Sequence, residues 1–104
     1  MEKKQNMEAL EWLSERSKEW WAKFVGVRVH SPGRIESFRV ALEALDRADK
    51  CREVIDRDGL TVVSKRVRMP HNHPLLKQEL DSRRLFHKII HNLSLDWDFR
   101  EDGL

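Results

Sequence analysis

Ser31-Pro32-Gly33-Arg34 and Asp58-Gly59-Leu60 bracket a long stretch of unbroken helical pattern. Ser31 can accept from the orphan amides of a first turn, and Pro32 has its φ preset for the first helical position. Between the brackets Ile35, Phe38, Leu42, Leu45, Ala48, Cys51 or Arg52, and Ile55 keep one apolar face throughout. Gly59 followed by Leu60 has the form of a left-handed C-terminal cap with its apolar contact. The spacing predicts a helix over 32–58.

Shorter elements flank it. Asn6 can cap a first helix over 6–24, where Leu10, Leu13, Ser17, Trp20, Trp21 and Phe24 form a stripe. Trp12 lies about 60° off that stripe, which suggests a broad apolar face or a subunit contact. Gly26 is a stop signal, and Val27 and Val29 alternate as a short extended link. Downstream, Leu60-Thr61-Val62-Val63 and Arg66-Val67-Arg68-Met69, joined by Ser64-Lys65, predict a β-hairpin within 60–70. A lone hairpin is marginal in water, so it must pack on a helix or on a neighbouring subunit. Residues 69–74, with Pro70 and Pro74, read as a bend. Pro74 then opens a third helix over 74–93, with Asn72 or His73 near its cap and Leu76, Leu80, Arg83, Phe86, Ile89 or Ile90, and Leu93 in its stripe. Residues 96–104 read as a tail. The expected fold is mainly α: a single domain over 1–104 with three helices and a short β-hairpin between helices 2 and 3.

A 104-residue chain has room for one domain with a thin stability margin. Charged residues make up 37% of it and the mean hydropathy is −0.70, polar for a chain that must build its own core. Both facts favour a helical protein that completes its burial by oligomerising. Twenty basic residues against 18 acidic leave a net charge of +2, so the distribution says more than the sum. Residues 60–70 hold Lys65, Arg66 and Arg68 with no acid, whereas 96–102 hold Asp96, Asp98, Glu101 and Asp102 against Arg100. A basic middle and an acidic tail suggest two different partners, although a solvated surface explains either alone. The single cysteine excludes an internal disulfide and fits a reducing compartment. No apolar run approaches the ~20 residues that span a bilayer, and no apolar region follows the N-terminal charges as in a signal peptide. No membrane partner and a cytoplasmic location are expected.

Candidate chemistry is sparse. His87 and His91 share a helix face, but Lys88, Ile89 and Ile90 stand between them where a zinc-hydrolase helix needs a glutamate. His71-Asn72-His73 spells the letters of a nuclease family whose ligands come from separate elements; three consecutive residues before a proline cannot converge on one ion. Cys51 reads as a small buried hydrophobe with no histidine placed to activate it. Asp46 with Asp49, and Asp56 with Asp58, lie among arginines and lysines as exposed helix charges. Gly26, Gly33, Gly59 and Gly103 are too scattered to cradle a phosphate. These readings predict no enzyme, no metal, no cofactor and no small-molecule substrate. Binding remains. A hairpin tip with Lys65, Arg66 and Arg68 can lie along a phosphate backbone, and equally can keep an edge strand soluble. Arg28 and Arg34, flanking the start of the second helix, are weaker candidates of the same kind.

The order of pieces is distinctive. A long helix containing Ser37-Phe38-Arg39-Val40-Ala41-Leu42-Glu43-Ala44-Leu45 ends at Asp58-Gly59-Leu60-Thr61-Val62. A short β segment, His73-Pro74-Leu75-Leu76-Lys77-Gln78-Glu79, and a helix with Arg83 and Phe86 closing on Leu93-Ser94-Leu95 follow. Over roughly residues 30 to 97 this resembles the small terminase subunits of tailed double-stranded-DNA phages, whose short members show a Gly-Leu, hairpin, His-Pro, helix, Leu-Gly-Leu succession. Ser94 stands where that family commonly has glycine. The resemblance implies a ring-like homo-oligomer in the host bacterial cytoplasm that binds viral DNA and recruits the large terminase subunit. The large subunit supplies the ATPase and nuclease, so the small one needs no active site. Individual DNA contacts do not follow from the matched motifs. On charge alone the DNA-binding candidates are Lys65, Arg66, Arg68, Arg28 and Arg34. For the large subunit they are Trp97, Asp98 and Phe99 in the acidic tail. The other classes are a small dimeric DNA-binding regulator, whose helix-turn-helix would need shorter links than these, and a non-catalytic interaction module anchored by exposed tryptophans.

Overall fold

The computed structural model describes residues 10–59, 61–63 and 70–101. They form a mainly helical chain: α1 (Glu15–Phe24), α2 (Pro32–Asp58), β1 (Thr61–Val63), β2 (Pro70–Asn72), α3 (Leu75–Asn92) and α4 (Asp96–Glu101). α2 and α3 run as an antiparallel helical hairpin, and α1 and α4 pack at the end where α2 begins and α3 stops.

The expected 32–58 helix is α2. Ser31 Oγ accepts from the Arg34 amide at 3.4 Å and Pro32 opens the first turn. Gly59 closes the helix with φ 91° and ψ 151°, an extended positive-φ conformation in place of the left-handed cap expected. That region is open essentially to glycine alone. The apolar contact expected from Leu60 lies outside the described residues.

α1 begins later than the stripe suggested. Asn6 and residues 7–9 lie outside the described residues, and Ser14 is the N-cap. Its Oγ accepts from the Ser17 amide at 3.1 Å and donates to Asp46 Oδ1 at 2.8 Å. The Ser14 amide and the Ser17 hydroxyl also donate to the Asp46 carboxylate, at 2.8 and 2.7 Å. Ser14 is a preferred N-cap residue in its own right, and a carboxylate on α2 anchors it there. Residues 25–29 are no extended link either. The Phe24 carbonyl accepts from the amides of Val27, Arg28 and Val29, folding the segment back so that Val25 and Val29 are buried.

β1 pairs antiparallel with β2 in the register Thr61↔Asn72, Val62↔His71, Val63↔Pro70. The second strand therefore falls on residues expected to bend, because Pro70 has no amide to donate and is tolerated in a two-stranded edge. The expected strand at 66–69 and turn at Ser64-Lys65 lie outside the described residues.

α3 ends in a Schellman turn. The Leu95 amide reaches the Ile90 carbonyl and the Ser94 amide that of His91, both at 3.0 Å, with Ser94 at φ 60°. A non-glycine residue in that left-handed position carries a steric cost of about 1–2 kcal/mol. The turn sends the chain into α4, so residues 96–101 are helical where a tail was expected. Phe99 then enters the core, with ring centroids 4.8 Å from Trp20, 5.2 Å from Phe24, 5.4 Å from Phe86 and 6.3 Å from Phe38. Truncating such a buried ring costs about 3–5 kcal/mol. Phe99→Ala is thus expected to unfold far earlier in a urea titration. Ser94→Gly should relieve the turn and stabilise the fold by about 1 kcal/mol, raising Tm by about 4–8 °C in calorimetry.

Candidate interaction surfaces

Beyond Ala48 the helical hairpin changes character. The proximal half is held by aromatic rings, whereas the distal half buries no aromatic hydrocarbon ring among the described residues: Cys51 and Ile55 sit between the helices with the polar Glu79 and Ser82. Glu79 has a side chain only 3% exposed. Arg52 of α2 grips it bidentately, with Nε to Oε2 at 3.0 Å and Nη2 to Oε1 at 2.6 Å. Arg83, one turn along α3, donates to the same carboxylate at 3.1 Å and reaches Asp49 at 3.3 Å. Asp49 also pairs with Arg16 of α1. Donation by Arg52 first, and then by Arg83, holds the Glu79 carboxyl below the usual carboxylate range despite its burial.

A second clamp closes the far end. The His73 ring is buried, its Nδ1 accepts from the Leu75 amide at 3.1 Å, and its Nε2 stands 3.0 Å from Asp58 Oδ2. An Nδ1 that accepts must be unprotonated, so Nε2 carries the hydrogen and donates it to Asp58. One imidazole thus caps the start of α3 and ties it to the end of α2. The His73 hydrogen bond, followed by that of Arg57, lowers the Asp58 pKa.

Most sequence-predicted contact residues that are described have internal work. Arg28 pairs with Asp98 at 2.8 Å, joining the 25–29 turn to α4. Arg34 donates to the Leu93 carbonyl at 2.7 Å and satisfies the C-terminus of α3. Phe99, expected to face a partner, is 3% exposed at the centre of the core. Of the acidic trio only Trp97 faces outward, at 72% exposure, because a two-residue step on a helix turns it away from Phe99. Lys65, Arg66 and Arg68 lie outside the described residues.

Other cations are better placed to meet an anion. Arg47 and Lys50 on α2, and Arg84 and Lys88 on α3, are exposed and make no ion pair among the described residues. Counting helical neighbours would have neutralised three of them. Glu43, however, is taken by Arg39 and the Trp12 indole, Asp46 by Ser14 and Ser17, and Asp81 by Lys77. Trp12 itself, held to Glu43 at 2.6 Å, forms one wall of a groove of about 410 Å³ along α2 and α3. Leu13, Val54 and Leu75 line it, with Arg47 and Lys50 at its edge. Its only sequence signal is the position of Trp12 off the α1 stripe.

Among the described residues no cluster of three or more His, Cys, Asp or Glu is disposed to hold a metal ion. No described helix is long and apolar enough to cross a membrane. Compared with family models, with curated proteins and with solved structures, the chain matches none.

The clamp at Glu79 has a pH signature. Its lowered pKa contributes stability fully present above the ordinary value of 4.5 and lost as pH falls through the depressed folded value. Glu79→Gln is expected to cost about 1–3 kcal/mol at neutral pH and to flatten the acid limb of stability below about pH 4.5. Urea titrations at pH 7 and pH 3 check both effects.

Proposed function

We propose that this chain is a small-terminase-type packaging adaptor, a non-catalytic subunit that self-assembles, binds viral double-stranded DNA and recruits and regulates the large ATPase–nuclease subunit in the host bacterial cytoplasm. The observation that carries the reading is the turn at Leu93-Ser94-Leu95. Ser94 occupies a left-handed conformation at the position where the resembled family commonly places glycine. The other two shared motifs also have backbone work: Gly59 ends α2 in a glycine-only conformation, and His73-Pro74 clamps and opens α3. A succession that follows conformational need is harder to match by accident than one of helix-forming residues.

The thin distal half supports assembly. Leu80 and Leu85 stand 46% and 38% exposed on α3, and Trp12 and Trp97 are more exposed still. A neighbouring subunit would cover what a hairpin of two helices leaves open. For DNA, the reading uses the basic segment Lys65, Arg66 and Arg68, supplemented by Arg47, Lys50, Arg84 and Lys88, which make no ion pair among the described residues. Arg28 and Arg34 take the lesser role of organising the helix ends. Trp97, 72% exposed, is the residue of the trio that the reading offers to another protein. No cofactor, metal or small-molecule substrate enters the proposed activity.

Mass measurement in solution tests assembly: roughly eight or more subunits per particle are expected for a ring, and a monomer or dimer would sink it. Three phosphate contacts per subunit predict a slope of about −2.7 in log K against log salt, multiplied when several subunits engage. The Lys65, Arg66, Arg68 triple-alanine variant is expected to lose that increment. An unchanged slope would leave the basic segment as a solubility device.

A further inference from the structure

We infer that α4 is an exchangeable plug: in the assembled protein each subunit seats its α4 in the aromatic pocket of a neighbouring copy. The inference rests on the self-assembly proposed above and deepens it. Leu95 and Phe99 are 1% and 3% exposed, and the Phe99 ring meets Trp20, Phe24, Phe38 and Phe86 from three helices. Asp98 adds its ion pair with Arg28 at 2.8 Å. A helix of six residues does not hold by itself, so α4 is helical because it is seated. These contacts join α4 to other parts of the chain only through space, and the α4 of another copy makes them equally well.

The hinge is one residue wide and under strain. Ser94 is the only non-glycine residue at positive φ among the described residues, at 60°. No glycine or proline stands anywhere from Leu75 to Glu101, so no helix breaker sets the bend. With Ser94 at a helical φ, α3 and α4 join as one helix over 75–101. That change relieves Ser94 and replaces the two bonds of the Schellman turn with the regular bonds of a continuous helix. Across the hinge it gives up the His91–Asp96 pair, whose side chains are 77% and 47% exposed.

In the straight helix Phe99 stands about 13 Å beyond Ile90, directed away from the pocket of its own subunit. Leu95 and Phe99, four positions apart, share one face of that arm. The pocket it leaves is the one to which this α4 is already fitted, so a second copy's α4 is the occupant. Each subunit then gives one arm and receives one, and a succession of such exchanges closes into a ring when its rotation divides the circle. Glycine, common at this position in the resembled family, would remove the strain, so the device belongs to the serine of this chain.

Two single-cysteine chains read the exchange directly. In a Cys51→Ala background one carries Arg28→Cys and the other Asp98→Cys, so a short bis-maleimide can bridge positions 28 and 98 only between chains. The two are mixed in urea, refolded together, linked and digested for mass spectrometry, and a 28–98 linked peptide is expected. Native mass spectrometry of the wild type reads assembly separately. A monomeric wild type would overturn this exchange together with the self-assembly reading, whereas an oligomeric mixture without the 28–98 link would overturn the exchange alone. Position 94 tests the hinge with plug and pocket intact. Ser94→Gly favours the turn and Ser94→Ala the continuous helix, so the alanine variant should associate at least about tenfold more tightly than the glycine variant. Equal association of the two would refute the exchange while leaving self-assembly standing.

Discussion

Phe99 is the contact on which the proximal half of this protein depends. Four other aromatic residues surround it, contributed by α1, α2 and α3, so one ring from the six-residue α4 touches every other described helix. A helix that short has no stability of its own. It exists because the turn at Ser94 aims it inward and Leu95 and Phe99 are buried there. The reverse also holds, since without the ring α1 would lose the surface on which Trp20 and Phe24 rest. The backbone cost accepted at Ser94 is small against the burial it makes possible.

The distal half solves a different problem. Two helices alone cannot enclose a wide apolar stripe, and beyond Ala48 this chain replaces bulk with charge. Glu79 between Arg52 and Arg83 fixes which turn of α3 faces which turn of α2, a register that interchangeable aliphatic contacts would leave loose. Buried pairs contribute less to net stability than their geometry suggests, because desolvation offsets their attraction. Their contribution here is alignment, completed by the His73 clamp at the far end.

What the sequence made legible follows the range of the interactions responsible. α2 could be read to both ends because Ser31-Pro32 and Gly59 act within one turn of the helix they bound. α3 was legible for the same reason. The start of α1 was less so: the apolar stripe runs back past Ser14 to Leu10, while Ser14, capping through the Ser17 amide, is anchored on Asp46, 32 positions away. α4 was hidden because its acidic composition resembles a solvated tail, and only the tertiary position of Phe99 shows otherwise. The candidate contact residues fared according to the same logic. Arg28 and Arg34 look free in sequence and find partners 70 and 59 residues away. Arg47 and Lys50 have acids one turn away on α2 yet make no ion pair with them, as Glu43 bonds to Arg39 and Trp12 and Asp46 to Ser14 and Ser17.

The division into an aromatic end and an ionic end gives the subunit two responses to its surroundings. Ring packing is indifferent to dissolved ions, but Arg52 and Arg83 are 38% and 34% exposed and their attraction to Glu79 is partly screened by salt. Ionic strength therefore weakens the main tie between the distal turns of α2 and α3, whereas at the other end it reaches only pairs such as Arg28–Asp98 that lie outside the ring cluster. If DNA binds at that end as proposed, it brings its own concentrated atmosphere of counterions. The distal helices would then feel a local salt concentration different from the bulk, coupling the strength of the Arg52–Glu79–Arg83 clamp to the polymer lying against it.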